Sequence, residues 1–206
     1  MSEEDMKKAI ALTVLVATVA LTGCAPTDFV QPGQQKITLG ESTYEDVLRV
    51  SDHNHPPKEV NIASPFNGKT LHVVSYTVPY VYSKGEDSAK MTIQRRSENY
   101  LFYNNVLIGM TYDSTFNDNS TEFDEDKAAK VKVGMTKQQV ISLVGKPSGR
   151  VIYPAAKNPG DTGFLYEYTH GEFVGVFATR SVQELMVSFD GNGIVDDIYL
   201  ERNRDN

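Results

Sequence analysis

Several groups of residues carry side chains that could do chemistry. Asp52, His53 and His55 lie close together, and on an extended chain imidazoles two apart point the same way, as a metal site requires. No further His or Cys stands nearby, and His72 and His170 fall in separate runs, so the ligand set is incomplete and the stretch reads as a loop. The carboxylates between Asp118 and Asp126 offer weak Ca²⁺ binding. They lack the glycine and terminal glutamate spacing of an EF-hand, and a charge run is ordinarily solvated. Asp196 and Asp197 are adjacent; on a strand they point to opposite faces and cannot act as an acid–base pair. There is no Gly-x-Ser-x-Gly elbow, and no helix follows Asp190-Gly-Asn-Gly193 to make it a phosphate loop. The expectation is no catalytic residue, no metal and no cofactor; a metal-dependent enzyme with a site assembled from distant residues stays as an alternative.

One thiol has a clear chemistry. Cys24, the single cysteine, follows Leu21, Thr22 and Gly23, the pattern of a bacterial lipobox. Lys7 and Lys8 precede an apolar run over 9–21, too short to span a bilayer and suited to a signal-peptide core. Small residues before the cysteine admit a signal peptidase, and the thiol supplies the atom to be acylated. Met6 is a better initiator than Met1, because the acidic residues over 2–5 fit a signal poorly. Lipidation consumes the thiol and leaves no disulfide to form, and a triacylated cysteine gives a stable anchor. Ala25 stands where an Asp would signal retention in the inner membrane, so a resemblance to enterobacterial sorting implies the outer membrane. Residues 1–23 then form the signal peptide. Residues 24–36, with Pro26, Pro32 and Gly33, form an extended tether.

The 206 residues leave room for one domain or two small ones. An apolar content of 40% can supply a core. The net charge of −7, with no basic stripe, argues against nucleic acid.

The strongest folding signal runs from Val131 to Pro147. A β-prone Val-x-Val stops at Gly134, and Thr136 stands three residues before Gln139 in a capping box. Val140, Leu143 and Val144 give a short helix one apolar stripe, Gly145 suits a left-handed C-terminal position, and Pro147 ends the helix. The stretch from Ile37 echoes this, with Gly40 and a second capping box from Ser42 to Glu45; Gly40 to Gly134 is 94 positions and Val47 to Val140 is 93. Strand-like runs follow each helix: 71–82, 91–95 and 99–112 broken at Asn104-Asn105, then 164–169, 173–178 and 184–200 broken at 190–193. The expected architecture is α+β, two tandem helix-plus-antiparallel-sheet units with helices on one sheet face. Residues 37–116 form a degenerate first unit, 117–127 a polar linker and 128–203 the second unit.

Gly-Met-Thr before a Val-containing helix, a Gly-x-Pro stop, and the segment from Leu185 to Val195 resemble the SmpA/OmlA family. That family includes a small lipoprotein of the β-barrel assembly machinery and resembles the repeats of β-lactamase-inhibitor proteins. The resemblance implies a non-catalytic, lipid-anchored, periplasm-facing module that binds a protein partner in outer-membrane assembly or maintenance. An inhibitor or sequestering protein for a periplasmic enzyme is the alternative it leaves. Tyr76, Tyr80 and Tyr82 share one strand parity, as do Tyr166 and Tyr168 with Phe164. Core packing explains such stripes, but tyrosine also suits an interface, so these five are the expected partner-binding residues on the sheet face that helices leave uncovered.

Overall fold

The computed structural model describes residues 36–51, 56–77, 81–84, 90–174 and 177–204. The lipobox residues Leu21, Thr22, Gly23 and Cys24, the loop residues Asp52, His53 and His55, and Tyr80 lie outside them.

Among the described residues three short helices and ten strands follow one another: α1 (Tyr44–Val50), β1 (Lys58–Ala63), β2 (Thr70–Thr77), β3 (Val81–Lys84), β4 (Lys90–Gln94), β5 (Arg96–Tyr103), β6 (Val106–Ser114), α2 (Glu125–Ala128), α3 (Lys137–Val144), β7 (Gly149–Ile152), β8 (Thr162–Val174), β9 (Phe177–Phe189) and β10 (Val195–Arg204). All ten strands belong to one curled antiparallel sheet. This corrects the expected pair of helix-plus-sheet units. β7 pairs with β6 on one side and β8 on the other, so hydrogen bonding runs unbroken from the first half of the chain into the second. The expected short runs 164–169 and 173–178 belong to two thirteen-residue strands, β8 and β9, paired along their whole length.

Local chemistry shapes the helices. Thr136 accepts from the Gln139 N–H while the Gln139 side chain accepts from the Thr136 N–H. Gly145, at φ +106°, ends the helix with its N–H on the Ile141 carbonyl; L side chains rarely adopt such a φ. In α1 the cap is Thr43 with Asp46, one residue later than the Ser42–Glu45 box. Ser42 is already engaged: its hydroxyl accepts from the Thr38 N–H and its carbonyl from the Leu107 N–H.

Cross-strand partners share a face of a sheet, which sorts the core into two sides. On one side α1 packs through Val47 against Val74, Tyr76, Tyr100, Phe102 and Met110. On that same side α3 packs through Val140 against Tyr166, Leu185, Val187 and Phe189. The other side carries Leu71, Leu101, Val151, Leu165 and Met186. Gly109, Gly149 and Gly163 lie on it in neighbouring strands, linked through the partners Gly109↔Val151, Gly149↔Leu165 and Val151↔Gly163. Their missing side chains let the sheet close tightly on its inner face. A Cβ on Gly149 would stand 2.5 Å from the Met110 carbonyl oxygen and 2.6 Å from Thr111 Cβ. Gly149→Ala should therefore cost about 1–3 kcal/mol through overpacking. Gly191→Ala, where an added Cβ meets nothing within 4 Å, should stay within about 0.5 kcal/mol of the parent. Urea denaturation of the two variants measures both, and equal stabilities would refute the tight inner face.

Candidate functional site

A cavity of about 520 Å³ opens on the side of the sheet away from α1 and α3. Its walls come from both ends of the sheet: Lys58, Val60 and Ile62 of β1, and Tyr199 and Glu201 of β10. The sheet thus curls until its β1 and β10 edges flank a common cleft. Leu71, Leu101, Leu165 and Met186 supply buried apolar lining.

Polar groups line the rest. Glu167 and Glu184 are direct partners across β8 and β9, and Glu184 and Glu201 are partners across β9 and β10. Three glutamates therefore form a row across adjacent strands on the inner face. Like charges placed directly opposite destabilise a sheet, so the row carries an electrostatic cost while its members are ionised. Asn99 donates to both Glu167 oxygens at 3.3 and 3.1 Å, and the Tyr199 hydroxyl donates to Glu201. Among the described residues Glu184, at the centre of the row, has no hydrogen-bond donor or ion-pair partner.

The electrostatics follow. Burial, then the nearby Asp113 and Glu184 carboxylates, push Glu167 up to about 8 against the pull of Arg95 and Asn99. Burial, then Glu201, push Glu184 up to about 7. Arg95, which lines the same cavity, is committed to the buried Asp113. Lys58 and Arg180 also line the cavity but form no ion pair with Glu184.

The structure places the other sequence candidates elsewhere. Tyr76, Tyr166 and Tyr168 are buried at 3%, 2% and 8% exposure, and on the helix-covered side, not the open one. Tyr76 packs edge-on against Tyr100, Tyr166 packs edge-on against Phe123, and the Tyr166 hydroxyl donates to the Gly145 carbonyl at 2.9 Å. These three are core residues in this structure; the same parity that suggested a free face points them at the helices. Tyr82 lies on β3, and its side chain is outside the described set. Asp118 pairs with Arg96, Asp124 caps α2, and His72 meets Glu59 at 3.0 Å. Among the described residues no group of three His, Cys, Asp or Glu side chains is placed to hold a metal ion, and no helix is long and apolar enough to cross a membrane.

Sequence reasoning missed the glutamate row, although one signal for it was present. Reflecting the chain about the Asp190–Gly193 turn brings Glu184 near Glu201, and the bulge between Val195 and Asp197 shifts the register so that the two become direct partners.

The row makes stability depend on pH in a definite direction. A carboxyl whose folded pKa is raised stabilises the fold fully below its unfolded value, near 4.5, and loses that contribution as pH rises through 7 to 8. Glu184→Gln should match the parent at pH 5 and exceed it at pH 8.5 by about 1 kcal/mol or more, a tenfold change in proton affinity being worth ~1.4 kcal/mol. Thermal melts at the two pH values test this; a variant that gains nothing at pH 8.5 would contradict the crowding of Glu184.

Comparison with known proteins bears on the half of the sheet that carries this row. No curated protein matches the chain. A crystal structure of a candidate β-lactamase inhibitor protein from Streptococcus mutans is 12% identical, covering 78% of this chain and 82% of that one with a TM-score of 0.31; a superposition that loose carries no argument. Residues 121–199 match the family model described as the outer membrane protein assembly factor BamE domain, and they contain the Gly134–Pro147 and Leu185–Val195 motifs, so the SmpA/OmlA-type resemblance read from those motifs holds for this segment of the chain.

Proposed function

We propose that the protein is a non-catalytic binding module of the outer-membrane assembly or maintenance machinery, anchored through acylated Cys24 with its folded part facing the periplasm, and that it holds a partner protein in the cleft between β1 and β10. The family match over 121–199 supports the assembly role. The observation that carries the site is the cavity itself, walled by two sheet edges, with an apolar part and a row of glutamates. Val60 and Ile62 on β1 are 41% and 43% exposed. An apolar pair exposed on an edge strand is a docking or aggregation feature rather than a core. The signal peptide 1–23 and the tether 24–36 belong to the same reading.

Two experiments test it. A photo-crosslinking side chain at Ile62 should form an adduct with a defined envelope protein in living cells, whereas one at Val133, 66% exposed in the turn before α3 and away from the cavity lining, should not. Adducts from Val133 alone would place docking on the wrong face. For the anchor, the protein should enter the detergent phase on Triton X-114 partition and Cys24→Ser should not; a parent protein that stays aqueous rules the lipid out.

A further inference from the structure

The chemistry of the occupant can be read from the cleft, given the docking reading above. We propose that the cleft takes an extended segment of a partner protein that adds as a strand to the β1 edge and presents a Lys or Arg side chain to the Glu167–Glu184–Glu201 row. The backbone argument comes first. Among the described residues β1 pairs only with β2, so its outer N–H and C=O groups form a template for another strand. All six β1 residues are exposed. Neither a proline within β1 nor, among the described residues, a covering helix protects this edge. The incoming strand would alternate its side chains, one set facing the cavity beside Val60, Ile62, Leu71 and Met186.

The charge argument selects the inward side chain. Three carboxylates in register face one cavity, with Glu184 at the centre. Asn99, which donates to Glu167, is uncharged. Arg95 is spent on Asp113. Lys58 and Arg180, on the cavity wall, form no ion pair with Glu184. A carboxylate row held partly out of water gains most from a cation brought to it. An anionic segment would repel Glu184, and a purely apolar one would leave it without a cation. A basic residue flanked by apolar ones therefore fits both zones of the lining.

Synthetic peptides on the purified folded protein test the proposal. The probe is Thr-Val-Thr-Lys-Thr-Val-Thr with blocked ends, compared with versions carrying Glu or norleucine at the centre and with one N-methylated at the amides that would face β1. The Lys peptide should bind at pH 7.5, shift the Val60 and Ile62 amide resonances and protect β1 amides from exchange. The Glu peptide should bind at least about tenfold more weakly, since truncating or reversing one partner of a desolvated charge pair has effects of that size. Glu184→Gln should remove most of the preference for Lys over norleucine, and so should lowering the pH to 5. N-methylation should abolish binding.

Equal binding of the Lys and Glu peptides, shifts confined to residues away from β1, or no binding at millimolar peptide would each overturn the proposal. So would a β1 edge already occupied by a second copy of the chain or by its own amino-terminal segment, seen as a dimer or as β1 amides protected without peptide. If the Ile62 crosslink forms but no preference for Lys appears, the docking reading stands and the basic-strand reading falls. If neither appears, both fall.

Discussion

The structure depends on how the middle of β8 is satisfied. On one side β8 pairs with β9 throughout. On the other, β7 covers only 162–165 and β4 only 171–174, leaving the backbone between without a strand. A buried backbone group without a partner costs about as much as a lost hydrogen bond, roughly 1–3 kcal/mol. Three side chains from elsewhere fill the gap. Ser148 accepts from the Glu167 N–H at 3.0 Å and donates to the Leu165 carbonyl at 3.2 Å; Thr121 donates to the Glu167 carbonyl at 2.9 Å; Asp113 accepts from the Thr169 N–H at 3.0 Å. Asp113 is itself fully buried and can stay there because Arg95, beside the start of β5, pairs with it. The seam thereby ties β6, the 117–127 segment and the β7 entry to one strand.

The seam and the glutamate row meet at Glu167. Its backbone N–H and C=O are held by Ser148 and Thr121, which fixes the side chain on the inner face, next to Glu184 and within reach of Asn99. The sheet cannot relieve the crowding by slipping register, because a one-residue shift would send Leu165 and Met186 to the wrong side. The carboxylates are therefore kept together by packing that has nothing to do with charge. Local destabilisation maintained by surrounding structure is the usual physical mark of a binding or reacting site.

Local features were legible in the sequence and long-range ones were not. The breaks at Asn104-Asn105 and Asp190–Gly193 showed because Asn and Gly accept positive φ; Asn104 and Asn105 take φ values of 50° and 65°. Short helices after Gly40 and Gly134 were legible for the same reason, since caps and glycines act within a few residues. That the two halves share one sheet was not legible: β7 is four residues long, and Gly-Arg-Val-Ile gives no periodicity to read. The Phe164–Tyr166–Tyr168 stripe keeps one parity along β8, but parity alone does not say which face the helices cover, and Tyr76 and Tyr82 fall on separate strands, β2 and β3. The 117–127 segment reads as polar, yet Thr121 has its hydroxyl on the β8 backbone and Phe123 is buried against Tyr166.

If β8 joins the halves through this seam, they cannot melt separately. Differential scanning calorimetry of the protein should show a single transition whose calorimetric and van't Hoff enthalpies agree, and Asp113→Asn should lower that transition without splitting it. Two resolved transitions in the parent, one for each half of the chain, would contradict the single continuous sheet and the shared cleft built on it.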